Sequence, residues 1–256
     1  MYYDDKIEYI YCLVSKAACT NWKRTLMMLT GKITKFQRPE QLPVGMLDNP
    51  SKPCKYIPTL EKLPKAEKEW RFDCYFNFLF VREPLERLVS AYRDKILVGP
   101  TYGVNIDIVR KYRPHEYNAS IKRYHITFSE FVRYVLDERA AGRVLDRHWI
   151  PQNELCRPCQ HHYDFIGHHE TLHNDAKYVV DRLKSRIPDV GQRGRVADVE
   201  FPADSGHRRT SGDFLQHIYA DVPAGHVQAL YQLYAVDYAL FGFKQPNVTG
   251  YRDFSQ

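Results

Sequence analysis

Two short, almost unbroken apolar runs, each leading through a polar break into a helical pattern, constrain this chain more than any other feature. The first covers Ile7 to Val14 (Ile-Glu-Tyr-Ile-Tyr-Cys-Leu-Val) and the second Tyr75 to Val81 (Tyr-Phe-Asn-Phe-Leu-Phe-Val). Both are rich in β-forming residues and lack the polar alternation of a strand with one wet face. Such runs mark strands buried on both sides, as in a parallel sheet. After the break Ser15-Lys16-Ala17-Ala18-Cys19, Thr20 or Asn21 supplies an N-cap, and Trp22, Leu26 and Leu29 define one helical face ahead of Gly31. After the second run, Pro84 suits the first turn of a helix whose buried face is Leu85, Leu88, Tyr92 and Ile96. Two strand–turn–helix units of this kind specify an α/β fold, a central parallel sheet flanked by helices.

Prolines crowd residues 39–65, which read as a long surface excursion without regular structure. Helices are expected over Ser129–Ala141 before Gly142 and over Asp175–Ile187 before Pro188. A last helix carries Val227, Leu230, Tyr234, Tyr238 and Phe241 and ends at Gly242. Residues 189–213, rich in Gly, Asp and Arg, read as a mobile loop. No repeat or low-complexity tract interrupts the chain, so residues 1–256 read as a single domain, long enough for a sizeable core.

The formal charge of +6 points to a polyanionic partner, and nucleic acid, an acidic membrane surface and an acidic polysaccharide fit it equally. No stretch reaches the roughly 18 apolar residues of a spanning helix, and the N-terminal residues do not resemble a signal peptide. The six cysteines, Cys12, Cys19, Cys54, Cys74, Cys156 and Cys159, are compatible with three disulfides. Cys156-Arg-Pro-Cys159 lacks the second Cys pair or His pair of a zinc site and the βαβ setting of a redox pair, which favours a structural disulfide, local or with other cysteines. Sequons at Asn118-Ala-Ser120 and Asn247-Val-Thr249 are weak pointers to a secretory route.

A loop leaving a buried strand and entering a helix presents unpaired amides at the positive end of the helix dipole. Lys16 sits in the first such loop. The loop has no glycine, and its lysine stands at its start, so it is not the Gly-x-x-x-x-Gly-Lys-[Ser/Thr] cradle of a nucleotide kinase or ATPase. Either an anion site or a plain turn with a surface lysine fits this loop alone. The second unit adds Arg82 at a strand end and Ser90 eight residues on, in the second turn of the next helix. A fixed guanidinium and a hydroxyl donor there suit a phosphate. Two anion sites at strand ends suit a ligand with phosphates at both ends.

These stretches carry a resemblance. Cys12-Leu-Val-Ser-Lys-Ala-Ala-Cys-Thr-Asn-Trp-Lys-Arg24 resembles the 5′-phosphosulfate loop of Golgi carbohydrate sulfotransferases. Phe78-Leu-Phe-Val-Arg-Glu-Pro-Leu-Glu-Arg-Leu-Val-Ser-Ala-Tyr-Arg-Asp-Lys95 resembles their 3′-phosphate motif. The similarity extends to His148-Trp-Ile-Pro-Gln-Asn-Glu-Leu-Cys-Arg-Pro-Cys159, to Tyr163-Asp-Phe-Ile-Gly-His-His-Glu-Thr-Leu172 and to Leu233-Tyr-Ala-Val-Asp-Tyr-Ala-Leu-Phe-Gly-Phe243. It is nearest to the branch of chondroitin and dermatan 4-O-sulfotransferases and the HNK-1 sulfotransferase. One departure is Ser15, where that family usually has proline.

The resemblance implies a P-loop-like sulfotransferase fold and, as donor, 3′-phosphoadenosine 5′-phosphosulfate (PAPS), without a metal. It implies that Lys16, Ala17, Ala18, Cys19, Thr20 and Asn21 cradle the 5′ end and that Arg82 and Ser90 bind the 3′-phosphate. Lys16 would also be catalytic, and His148 is the first candidate for a general base, with His125, His168 and Glu170 behind it. Glu83, Arg87, Tyr92 and Lys95 read mostly as helix-surface or packing residues. The implied acceptor is an acidic polysaccharide or a glycoprotein glycan, not a nucleic acid. Arg110, Lys111, Arg113, Lys122, Arg123, Arg143 and Arg147 either line a groove for it or, with the acidic residues among them, form an ordinary solvated surface. An HNK-1-type 3-O-sulfotransferase and a non-catalytic glycosaminoglycan-binding protein are the alternatives. The implied location is the Golgi lumen, as the luminal part of a type II membrane protein anchored by an N-terminal segment outside this sequence.

Overall fold

The computed structural model describes residues 1–31, 33, 35–43, 57–98, 103–188, 190–202 and 212–245. In chain order, strands β1 (Tyr2–Asp4) and β2 (Tyr9–Cys12) precede helices α1 (Cys19–Leu29) and α2 (Lys65–Cys74). Strand β3 (Phe76–Val81) leads to α3 (Pro84–Ala91), a π-helical stretch over Tyr92–Val98, α4 (Gly103–Tyr112), α5 (Phe128–Ala140) and the short α6 (Gln152–Cys156). After β4 (Phe165–His168) come α7 (Leu172–Ser185), α8 (Val190–Arg195), α9 (Gly212–Tyr219), α10 (Ala224–Leu233) and α11 (Ala235–Phe241). The residues cluster into two compact units, one from 1–82 and 155–207, the other from 83–154 and 208–256.

The first unit holds the sheet, in the order β1-β2-β3-β4. Strands β2, β3 and β4 run parallel, with Cys12 opposite Leu79 and Val81 opposite His168. Every residue of β2 and β3 is buried, as the continuous apolar runs require. The sheet is mixed rather than wholly parallel, because β1 is an antiparallel edge strand, Tyr3 opposite Ile10. The turn back is made by Asp4, whose carboxylate accepts from the amides of Lys6 (2.9 Å) and Ile7 (3.0 Å). Trp22 of α1 packs against Tyr11, Phe78, Phe80 and Phe201, with ring centroids 4.7–5.8 Å apart.

Phe201 corrects the expectation for residues 189–213. Residues 190–195 are helical, and Val196, Val199 and Phe201 are buried in the first unit, so apolar burial orders this part despite its polar composition. Residues 203–211 lie outside the described set, as do Cys54, Asn247 and residues 44–56 of the proline-rich excursion. At the margin of that excursion, Pro39–Gln41 and Leu60–Lys62 form single 3-10 turns.

Strand β4 approaches β3 so closely that Gly167 is obligatory. A Cβ there would lie only 2.3 Å from Cε1 of the buried Phe80 ring. Gly167→Ala is expected to destabilise the protein by about 1–3 kcal/mol through overpacking. A urea midpoint lowered with unchanged m-value would bear this out, and an unchanged midpoint would refute it.

The second unit is helical around one core. Leu88, Ile108, Phe128, Phe131, Val135, Trp149, Tyr219, Leu230 and Tyr234 are all buried in it. Helix α5 begins at an N-cap, Thr127, whose hydroxyl accepts from the Glu130 amide at 3.2 Å while the Glu130 carboxylate accepts from the Thr127 amide at 2.8 Å. The expected last helix is two, α10 and α11, broken at Tyr234, where ψ swings to 10°. Gly242 ends α11 in the left-handed conformation, φ 64°.

Candidate active site

The loop after β2 is built of strained backbone. Lys16 and Ala18 both adopt left-handed conformations, φ 72° and 58°, without being glycine. Each costs on the order of 1–2 kcal/mol, and such strain concentrates at functional sites. Left-handed residues interspersed in a turn are also the backbone arrangement of anion-binding nests. Ser15 and Ala17 are buried, Lys16 is half-buried, and Cys12 at the strand end is joined to Cys156 by a disulfide.

This geometry moves the helix start. Ala18, not Thr20 or Asn21, is the N-cap of α1, because the left-handed residues turn the chain early enough for the helix to begin at Cys19. Thr20 and Asn21 therefore sit inside the first turn, with Asn21 buried. Among the described residues no side chain caps the helix. Its leading amides, from Cys19 to Asn21, stand at the positive end of the dipole, as an anion requires.

Arg82 follows β3 and is buried, and its Nη1 donates to the Lys16 carbonyl at 3.5 Å. Lys16 and Arg82 thus meet at the carboxyl ends of two adjacent parallel strands, where ligands bind in open α/β sheets. The next strand end carries His168 and His169, with the His169 amide donating to the Val81 carbonyl at 2.9 Å. Ser90 lies on α3 in the second unit and is half-buried. Helix α3 is capped by Glu83, whose carboxylate accepts from the amides of Leu85 (3.1 Å) and Glu86 (2.6 Å) and from the Tyr238 hydroxyl. Burial pushes Glu83 up to about 7 against the pull of those bonds. Glu83 is a buried cap and not a helix-surface residue.

His148, also in the second unit, is 8% exposed. Its Nδ1 lies 2.6 Å from Asp146 Oδ1, which also accepts from the His148 amide at 2.8 Å. A carboxylate on Nδ1 holds the proton there and leaves Nε2 with its lone pair, the tautomer a general base needs. Burial, aided by the charges of Lys95 and Arg147, lowers the His148 pKa although Asp146 raises it. The ring is accordingly neutral at neutral pH. In the chain itself Asp146 is only an acid two residues before the histidine, a spacing too common to single it out.

The other base candidates are less suited. His125 is exposed, and its carbonyl accepts from Arg113 at 2.8 Å. His168 is half-buried, with Nδ1 3.9 Å from an exposed Glu170 carboxylate. Three of the seven candidate groove residues are engaged in ion pairs: Lys111 meets Asp137 and Glu138, Arg113 meets Glu116 and Glu130, and Arg143 meets Glu138. Cys156 pairs with Cys12, while Cys159 is exposed and has no disulfide partner among the described residues, so the Cys-x-x-Cys is not a local bridge. Among the described residues no group of three His, Cys, Asp or Glu converges as a metal site would require.

Comparison with known proteins extends this picture. The family described as "Sulfotransferase family" matches residues 1–244. Carbohydrate sulfotransferase 14 of Danio rerio is 34% identical over 250 residues, covering 96% of this chain and 62% of the relative. Human carbohydrate sulfotransferase 14 is 36% identical over 251 residues, 96% of this chain and 60% of the relative. Carbohydrate sulfotransferase 11 of Rattus norvegicus is 33% identical over 252 residues, 95% and 67%. The chain thus spans about three-fifths to two-thirds of the length of these relatives. No solved structure matches significantly.

Proposed function

The chain belongs to the sulfotransferase family, and from that premise we propose that it transfers a sulfuryl group from PAPS to a carbohydrate hydroxyl. The acceptor we propose is the 4-hydroxyl of N-acetylgalactosamine in chondroitin or dermatan. The observation that carries the reading is the meeting of Lys16 and Arg82 at neighbouring strand ends, beside the uncapped start of α1. A doubly anionic nucleotide needs two such cationic points, and the strained loop fits the 5′ end. We assign Lys16 and the backbone of Ala17, Ala18 and Cys19, with Thr20 and Asn21, to the 5′-phosphosulfate. Arg82 and Ser90 are assigned to the 3′-phosphate. The family match runs through both units, which supports reading residues 1–256 as one catalytic domain.

In this reading, PAPS supplies the sulfuryl group with a phosphate as leaving group. The chain's own residues do the rest. His148 Nε2 takes the proton of the acceptor hydroxyl as the new oxygen–sulfur bond forms. Asp146 stabilises the resulting imidazolium. Lys16 offsets the negative charge that collects on the departing phosphate oxygen as the old bond to sulfur breaks. Catalysis by placement and charge is sufficient for a transfer of this type.

A disulfide at Cys12–Cys156 and an exposed Asn118 in its sequon support an oxidising, secretory location, and we propose the Golgi lumen. No helix among the described residues is long and apolar enough to cross a membrane.

The test is sulfate transfer from labelled PAPS to desulfated chondroitin, desulfated dermatan and a simple galactosaminide. Transfer to one of them establishes the activity and ranks the acceptors. Donor binding without transfer to any of them would instead indicate a binding protein, and absence of donor binding would overturn the proposal.

The same assay checks the base. The rate is expected to rise with pH as His148 loses its proton, with a half-point below the ordinary imidazole value of about 6.5, because burial disfavours the imidazolium. His148→Gln should lower kcat roughly 10²–10⁴-fold and abolish that acid limb. Retention of the limb in the variant would assign the base elsewhere.

A further inference from the structure

Residues 147–150 form a turn with no ladder or long helix to hold it, yet buried side chains grip its main chain and the helix start that follows. Arg87 donates through Nη1 to the Ile150 carbonyl at 2.7 Å and through Nη2 to the Arg147 carbonyl at 3.1 Å. The Tyr234 hydroxyl donates to the Trp149 carbonyl at 2.6 Å. Asp237 accepts from the Gln152 amide at 2.7 Å and the Asn153 amide at 2.8 Å, one carboxylate oxygen for each. Arg87 and Tyr234 are 1% exposed and Asp237 is wholly buried. All belong to the second unit.

Two features make this more than packing. Burying a guanidinium and a carboxylate is costly, and apolar residues of the same volume usually give equal or better stability. Buried polar groups bound in a full set of directional bonds instead select one conformation. The position of the grip is equally telling. The bonded carbonyls belong to Arg147, Trp149 and Ile150, on both sides of His148, and the bonded amides to Gln152 and Asn153, four and five residues further on. Arg87 stands one helical turn before Ser90 on α3, Tyr234 is the break between α10 and α11, and Asp237 lies in the first turn of α11.

We propose that Arg87, Tyr234 and Asp237 are positioning residues, a buried brace that fixes the His148 turn relative to the helix carrying Ser90. They touch neither donor nor acceptor and act through the main chain around His148. The inference rests on reading His148 as the base.

Tyr234→Phe is the sharpest probe, since it deletes one hydroxyl and keeps the ring in the core. It is expected to lower kcat about tenfold while leaving the dissociation constant for the donor within about twofold, with the Tm reporting that the fold persists. In the His148→Gln background the same change should cost nothing further, because its effect passes through that ring. A loss that multiplies on top of His148→Gln, or no loss in the single variant, overturns the brace. The imidazole Cε1–H resonance of His148 gives a readout independent of activity. It should shift or broaden in Tyr234→Phe and in Asp237→Asn, and an unchanged resonance in Tyr234→Phe overturns the brace. Full activity of His148→Gln would remove the base reading alone, leaving the resonance to decide whether the brace positions the ring. If Asp237→Asn does not fold, Tyr234→Phe carries the test.

Discussion

Lys16→Ala is expected to reduce sulfuryl transfer by at least about 10²–10³-fold in kcat, the usual effect of deleting one group that stabilises a leaving oxyanion. Its fold should be almost untouched. Lys16 sits at φ 72°, and alanine carries the same Cβ penalty there, so the backbone cost is unchanged. The bond that Arg82 makes to this residue goes to the main-chain carbonyl, which alanine retains. Lys16→Gly is the informative companion. It relieves the left-handed strain, so stability should rise by about 1 kcal/mol, while activity falls as in the alanine variant. Opposite signs on stability and activity would mark the loop as strained for function. Lys16→Arg should not restore the rate, because a planar fork replaces a compact ammonium. Kinetics with labelled PAPS and urea denaturation of the variants check both halves. Alanine retaining most of the activity would remove Lys16 from the catalytic machinery.

Loss of the Cys12–Cys156 disulfide is the second large effect. The bridge ties residues 144 apart in sequence and joins the last residue of β2 to the wholly buried Cys156. In the chain-entropy account a closed loop of that length is worth about 5 kcal/mol, and measured values for native bridges run from about 2 to 5 kcal/mol. Replacing both cysteines by alanine should therefore lower the unfolding free energy by about 3–5 kcal/mol, more than Gly167→Ala. It should also weaken donor binding, since Cys12 anchors the strand end from which the Lys16 loop departs. Urea titrations with and without reductant, paired with donor-binding isotherms, measure both. An unfolding midpoint that ignores the bridge would show that the loop is held by its burial alone.

Much of the candidate site is legible in the residue order because its parts are local. Buried strands, an anion-friendly break and a proline-started helix are written in contiguous residues, so pattern and resemblance together single out Lys16, Arg82 and Ser90. Near-neighbour information also locates α5, expected over Ser129–Ala141 and found over Phe128–Ala140, since Gly142 stops it. Weaker local signals mislead by small amounts. Thr20 and Asn21 are better caps by composition than Ala18, but the helix begins where the left-handed residues turn the chain, a choice made by loop closure and not by capping preference. Residues 190–202 are polar on average, and only the few apolar side chains that reach the core reveal their order.

Residue order alone specifies the class of fold and the two strand-to-helix loops, because each depends on hydrophobic periodicity and on side chains adjacent in the chain. Packing decides the rest. It selects Cys156 as the partner of Cys12 and places the Arg82 guanidinium against the Lys16 carbonyl. It also sets Asp146 on His148 Nδ1 and brings Arg87, Tyr234 and Asp237 around one turn. These outcomes depend on how distant segments pack, and the short-range hydrogen bond at His148 depends on the backbone that packing imposes. Residue order carries too little information about such contacts, because the bonds that define them close over tens of residues and are selected by the burial of the whole core.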